Sequence, residues 1–111
     1  MNGMSSLIKI VIYTTPTGKK PFIEWLEDLD ITTQNIIKAR IRRVTLGNFG
    51  DCKSIKNGAG IRELRIDCGP GYRMYYGMKE RTLVIFLLGG NKSGQEKDIA
   101  KAKSYWLEHT K

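Results

Sequence analysis

The run TLVIFLL, residues 82 to 88, is apolar at both strand parities. A strand that alternates apolar and polar side chains can lie on a surface, but one apolar on both sides must be covered on both. This run is therefore expected to lie centrally in a sheet, and the rest of the chain has to supply its neighbours. With 111 residues, the chain suits one modest core and a single domain, 1–111.

Three further segments read as strands. Residues 7–13 put Ile8, Ile10 and Ile12 on one face and Lys9 and Val11 on the other. Residues 61–67 and 71–78 flank the turn CGPG, and KER leads from there into 82–89. Such short connections predict an antiparallel meander. Between the first strand and the meander, Pro21 suits the first position of a helix, and Phe22, Trp25, Leu26 and Leu29 form one apolar stripe. DITT separates it from a second helix, with Thr32 or Thr33 as the expected N-cap and Ile37, Ile41 and Val44 facing inward. That helix is expected to end near LGNFG, and residues 51–60 read as a loop of small residues carrying Lys53 and Lys56. A last helix starts at SGQE, where Ser93 and Glu96 have capping-box spacing, and buries Ile99, Ala102 and Trp106. The predicted fold class is α+β, in the order β-α-α-β-β-β-α, with an αα-hairpin and a C-terminal helix packed on one face of an antiparallel-rich sheet. The leading MNGMSS reads as flexible.

Charge narrows the partners. Nineteen Lys and Arg against eleven Asp and Glu give a net charge of +8, which favours an anionic partner such as nucleic acid. No apolar run reaches the ~20 residues that cross a bilayer, and no cleavable leader pattern is visible. Cys52 and Cys68 form no CxxC pair, and with one histidine they argue against a metal site. Two reduced thiols fit a cytoplasmic protein.

The chemistry concentrates in RELRIDCGPGYRMYY, residues 62–76. Leu64 and Ile66 share one face, so Glu63, Arg65 and Asp67 take the other; Arg73 and Tyr75 likewise oppose Met74. Pairing through the turn brings Arg65 and Arg73 together on a face expected to be free of helices. Two like charges so placed need an anion or a carboxylate between them, and Glu63 or Asp67 could provide it. After the last strand, GGNKSGQE sets Lys92 before a helix N-terminus, where free N–H groups favour phosphate. His109, near the chain end, reads as solvated. No Ser-His-Asp set occurs. Arginine, lysine and tyrosine suit cleavage of an RNA phosphodiester, in which the 2′-OH is the nucleophile and the protein neutralises charge on phosphorus. Glu63, a lysine or Tyr75 could act as the base.

The strand order, GYRMYY after a short turn and LLGGNKSGQEKDIAKAK resemble the RelE/ParE toxin superfamily, in its HigB-like, phage-related branch of addiction-module killer proteins. The resemblance spans about residues 7 to 109. It implies a toxin of a type II toxin–antitoxin module, held by a cognate antitoxin in a hetero-oligomeric complex. It further implies a ribosome-dependent endoribonuclease cutting mRNA without metal or cofactor. Residue by residue, it implies phosphate contacts by Arg73, Arg65 and Lys92; Lys53, Lys56, Arg62 and Tyr75 are the further candidates for RNA binding that the chain itself offers. The chain departs from the RelE pattern at residues 95–99, QEKDI, where a tyrosine or histidine often stands. The alternatives are a non-catalytic ParE-like inhibitor of DNA gyrase and a decayed toxin that retains only antitoxin binding.

Overall fold

The computed structural model describes residues 7–111; MNGMSS, read as flexible, lies outside the described residues. The chain runs β1 (Lys9–Ile12), α1 (Pro21–Glu27), α2 (Ile31–Thr45), β2 (Cys52–Ser54), β3 (Arg62–Ile66), β4 (Tyr72–Lys79), β5 (Leu83–Asn91) and α3 (Gln95–His109), the last entered through a 3₁₀ turn at Lys92–Gly94. One five-stranded sheet has the order β1-β5-β4-β3-β2. Strand β1 is parallel to β5, and the other pairs are antiparallel. The doubly apolar run thus lies between two strands, and Val84, Ile85, Phe86 and Leu87 are fully buried. Each such side chain contributes about 1.5–3 kcal/mol on leaving water.

Three expectations are corrected. First, the segment read as a loop contains β2, which pairs with β3 through Cys52↔Leu64, Lys53↔Glu63 and Ser54↔Arg62. A three-residue edge strand in Gly-rich surroundings carries too little pattern to show as a period. Second, helices cover both sheet faces. Phe22, Leu26, Ile37 and Val44 of the αα-hairpin pack with Leu64, Met74, Tyr76, Val84 and Phe86 on one side. Ala102 and Trp106 of α3 pack with Ile61, Tyr75, Ile85 and Leu87 on the other. The cause lies in the opening run itself: Ile85 and Leu87 need their own cover, and only the Ile99–Ala102–Trp106 stripe remains to give it. Third, the caps differ. Asp30 holds the N-cap position of α2, so both threonines lie inside the first turn. Before α3 the Asn91 side chain accepts from the N–H groups of Ser93 and Gly94, in place of a Ser93–Glu96 box.

A bulge shapes the end of β5. Tyr75 pairs with Leu88 and Tyr76 with Phe86, so Leu87 has no opposite residue, and Leu87 and Leu88 both join the α3-side core. Gly89 and Gly90 follow. A Cβ on Gly89 would run into the Trp25 ring, and one on Gly90 into the Asp98 carboxylate. The two missing side chains therefore let α1 and α3 close on opposite faces of the same strand. Gly89→Ala should destabilise by about 1–3 kcal/mol through overpacking against Trp25. Thermal melting should show a fall of several degrees; an unchanged midpoint would mean that this contact is slack.

Candidate functional site

Four polar side chains leave the middle of the sheet on the α3 side. Cross-strand register sets Arg65 opposite Arg73 and Glu63 opposite Tyr75. The two arginines do meet, as parity predicted, and two carboxylates separate their charges. Glu63 Oε2 lies 3.8 Å from Arg73 Nη1 and 4.0 Å from Arg65 Nε. Asp51 Oδ1 accepts from Arg65 Nη2 at 2.8 Å and Nε at 3.2 Å. Glu63 was one of the two carboxylates anticipated. Asp51 was hidden in the segment read as loop, while Asp67 only lines the adjoining cleft.

Asp51 is itself fixed from below. Arg40 of α2 donates to the carbonyls of Arg65 at 2.7 Å, Phe49 at 2.9 Å and Asp51 at 3.0 Å. This arginine is committed to backbone oxygens, and no short-range pattern in the sequence marks it. The hydrogen bond from Arg65, aided by the charges of Arg65, Arg40 and Arg73, holds the Asp51 carboxyl below its ordinary range.

Glu63 is fully buried. Its Oε1 receives a long 3.4 Å hydrogen bond from Gln95 Nε2 at the start of α3. Three buried polar atoms beside one another lack any hydrogen-bond partner: Glu63 Oε2, Arg73 Nε and Tyr75 Oη. Native interiors leave few such atoms without a protein partner. Burial, with the charges of Glu63 and Asp98, pushes the Tyr75 phenol far up. This direction, together with its complete burial, argues against Tyr75 as the base. Burial likewise raises the Asp98 carboxyl, which packs against Gly90.

Lys92 is brought in by the hairpin turn. Gly71 adopts φ +81°, a left-handed backbone that side chains disfavour, and its carbonyl accepts the Lys92 N–H at 2.8 Å. Asp51, Arg65, Asp67, Gly71, Arg73 and Lys92 thereby line one open cleft of about 330 Å³. Of the helix-start N–H groups that favour phosphate, those of Ser93 and Gly94 are already taken by Asn91. Lys53 and Lys56 border a second cleft of about 260 Å³ with Ser54, Glu63, Gln95 and Ile99. Glu63, which lies against Arg65 and Arg73 of the first cleft, thus also lines the second.

The remaining expected residues fall elsewhere. Tyr75 lies beneath the surface with no exposure. Arg62 points to the opposite face, donating to Ser54 Oγ at 2.8 Å and Tyr76 Oη at 3.3 Å. His109 is not simply solvated: it stacks on Trp106 and meets the Tyr13 ring edge-on. Both cysteines are free. Among the described residues, no group of three His, Cys, Asp or Glu could hold a metal ion, and no helix is long and apolar enough to cross a membrane.

Residues 24–105 match the family model described as phage derived protein Gp49-like. Over 95 residues the chain is 50% identical to an uncharacterized protein of Haemophilus influenzae, spanning 85% of this chain and 90% of that protein.

The Asp51–Arg65 pair carries a pH signature. A carboxyl depressed by folding adds stability that is present above its unfolded pKa, about 3.9, and is lost as pH falls through the folded value. Asp51→Asn should therefore lower the urea midpoint at pH 7, with the gap to the parent chain closing as pH falls below the ordinary carboxylate range. A gap that persists in acid would contradict the ion pair as its source.

Proposed function

The chain belongs to the Gp49-like family of phage-derived proteins, and on that basis we propose that it is the toxin of a type II toxin–antitoxin module, RelE-like in fold and a ribosome-dependent mRNA endoribonuclease. Family membership is compatible with such a toxin and suggests a cognate antitoxin as partner. The observation that carries the nuclease reading is the convergence of Arg65, Arg73 and Lys92 on one open cleft, in a chain with net charge +8.

In this reading an mRNA phosphodiester enters the cleft from the ribosomal decoding site, in the cytoplasm. Arg73, only 13% exposed at its side chain, lines the cleft and offers its guanidinium to a phosphoryl oxygen. Arg65 contributes once the phosphate competes with Asp51 for its guanidinium. Lys92 lies on the leaving-group side as a point charge. The 2′-OH attacks in line, and the guanidiniums stabilise the charge that grows on phosphorus. Lys53 and Lys56 extend the positive surface along β2 and the loop after it toward flanking RNA. No step needs a bound metal, because the nucleophile comes from the substrate.

A second reading has its own support. Arg65 and Arg73 already face Asp51 and Glu63, an arrangement that a non-catalytic, ParE-like gyrase inhibitor would tolerate. Expression of the chain and of Arg73→Lys distinguishes the two. Lysine preserves the charge against Glu63 but loses the guanidinium fork. The nuclease reading predicts new mRNA 5′ ends with the parent chain and about 10²–10³-fold slower cleavage by the variant. Equal toxicity of both forms, with intact mRNA and a DNA-damage response, would overturn it.

A further inference from the structure

The nuclease reading leaves open which group removes the proton from the 2′-OH. Tyr75 is fully buried with its phenol pushed up, and Asp98 is turned to the Gly90 backbone. His109 lies at the far end of α3 among aromatic rings. Lys53 and Lys56 stand exposed on the outer side of the second cleft. Glu63 differs from all of these. Its Oε1 is held by Gln95, and its Oε2 faces Arg73 and Arg65 without a hydrogen bond to either. A carboxylate faced on one side by two phosphate-binding guanidiniums, and held on the other only by a long bond from Gln95, has the geometry of a base awaiting a donor.

We infer that Glu63 is the general base of the cleavage step and that Gln95 is its cover. This rests on the nuclease reading. Both side chains line the cleft that Lys53 and Lys56 border, and Glu63 also lies against Arg65 and Arg73, which line the other. The Gln95 bond is at the long end of the hydrogen-bond range, and Gln95 is itself only half-buried. Rotation of that side chain frees Oε1 toward the cleft that Lys53 and Lys56 border, where a ribose can reach it. Glu63 Oε1 then takes the 2′-OH proton while O2′ bonds to phosphorus. The phosphorus–O5′ bond breaks, and O5′ takes a proton from the Lys92 ammonium. The products are a 2′,3′-cyclic phosphate and a 5′-OH; solvent then returns Glu63 and Lys92 to their starting states. The same carboxylate that neutralises the arginines at rest is thus placed one hydrogen bond from the nucleophile when phosphate arrives.

The test uses ribosomes programmed with mRNA and measures kcat, together with affinity for an mRNA analogue carrying a 2′-deoxy residue at the cleavage position. Glu63→Gln should lower kcat by about 10²–10⁴-fold while analogue affinity stays within about threefold. Glu63→Asp keeps the charge and draws the carboxylate back by one methylene. It should cost about tenfold or more in kcat, and it serves if the glutamine variant fails to fold by circular dichroism. Parent-like cleavage by the variants overturns the inference and leaves the nuclease reading standing. Loss of analogue binding in step with cleavage also overturns it, because Glu63 would then be a positioning residue. Absence of cleavage by the parent chain overturns the nuclease reading, and this inference with it.

Discussion

A fully buried carboxylate beneath two arginines sets the terms for the rest of this structure. Arg65 and Arg73 are direct cross-strand neighbours, and like charges so placed repel. Glu63, set beside both, makes their juxtaposition tolerable. Burying that charge is itself costly, and removing one partner of a buried pair typically costs about 3–5 kcal/mol. The surroundings are arranged accordingly. Asp51 takes up Arg65, Arg40 ties Asp51 and the Arg65 carbonyl to α2, and Gln95 caps the free side of Glu63. The αα-hairpin thus supports from one face of the sheet a polar cluster that opens on the other.

The second constraint is that β5 is apolar on both faces. It forces helices onto both sides, which places the start of α3 directly over the Glu63–Arg73 cluster. The bulge at Leu87 and the glycines at 89 and 90 bring the strand end and the helix start close together. Lys92, tied to Gly71, then falls beside Arg73. The cleft is a consequence of how the last strand is covered, and its charges are nearly balanced at rest.

Much of this was legible in the sequence because it rests on periods. Alternation separated Leu64, Ile66 and Met74 from Arg65 and Arg73, and the stripes Phe22–Leu26 and Ile99–Trp106 were found with their correct inner faces. What escaped detection has no period. Strand β2 is three residues long, and Asp51 stands just before it with no pattern to mark its bond to Arg65. Arg40 looks like any helical arginine, since its acceptors lie 9 to 25 residues away. Covering of both faces was implied by the run at 82–88, yet the expected single helical layer contradicted it; the amphipathic stripe of α3 does not say which face it will meet. Asn91 displaced the expected cap because its short side chain reaches two N–H groups at once. Arg62 shares the composition of the cleft residues but has the parity of the core.

The account comes down to one piece of chemistry, attack by the ribose 2′-OH on the adjacent phosphate within the Arg65–Arg73–Lys92 cleft. The most direct measurement is the end-group structure of mRNA fragments produced when the purified chain is added to programmed ribosomes. Attack by the 2′-OH leaves a 2′,3′-cyclic phosphate on the upstream fragment and a 5′-OH on the downstream one. A 3′-OH paired with a 5′-phosphate, or mRNA left whole, would contradict it.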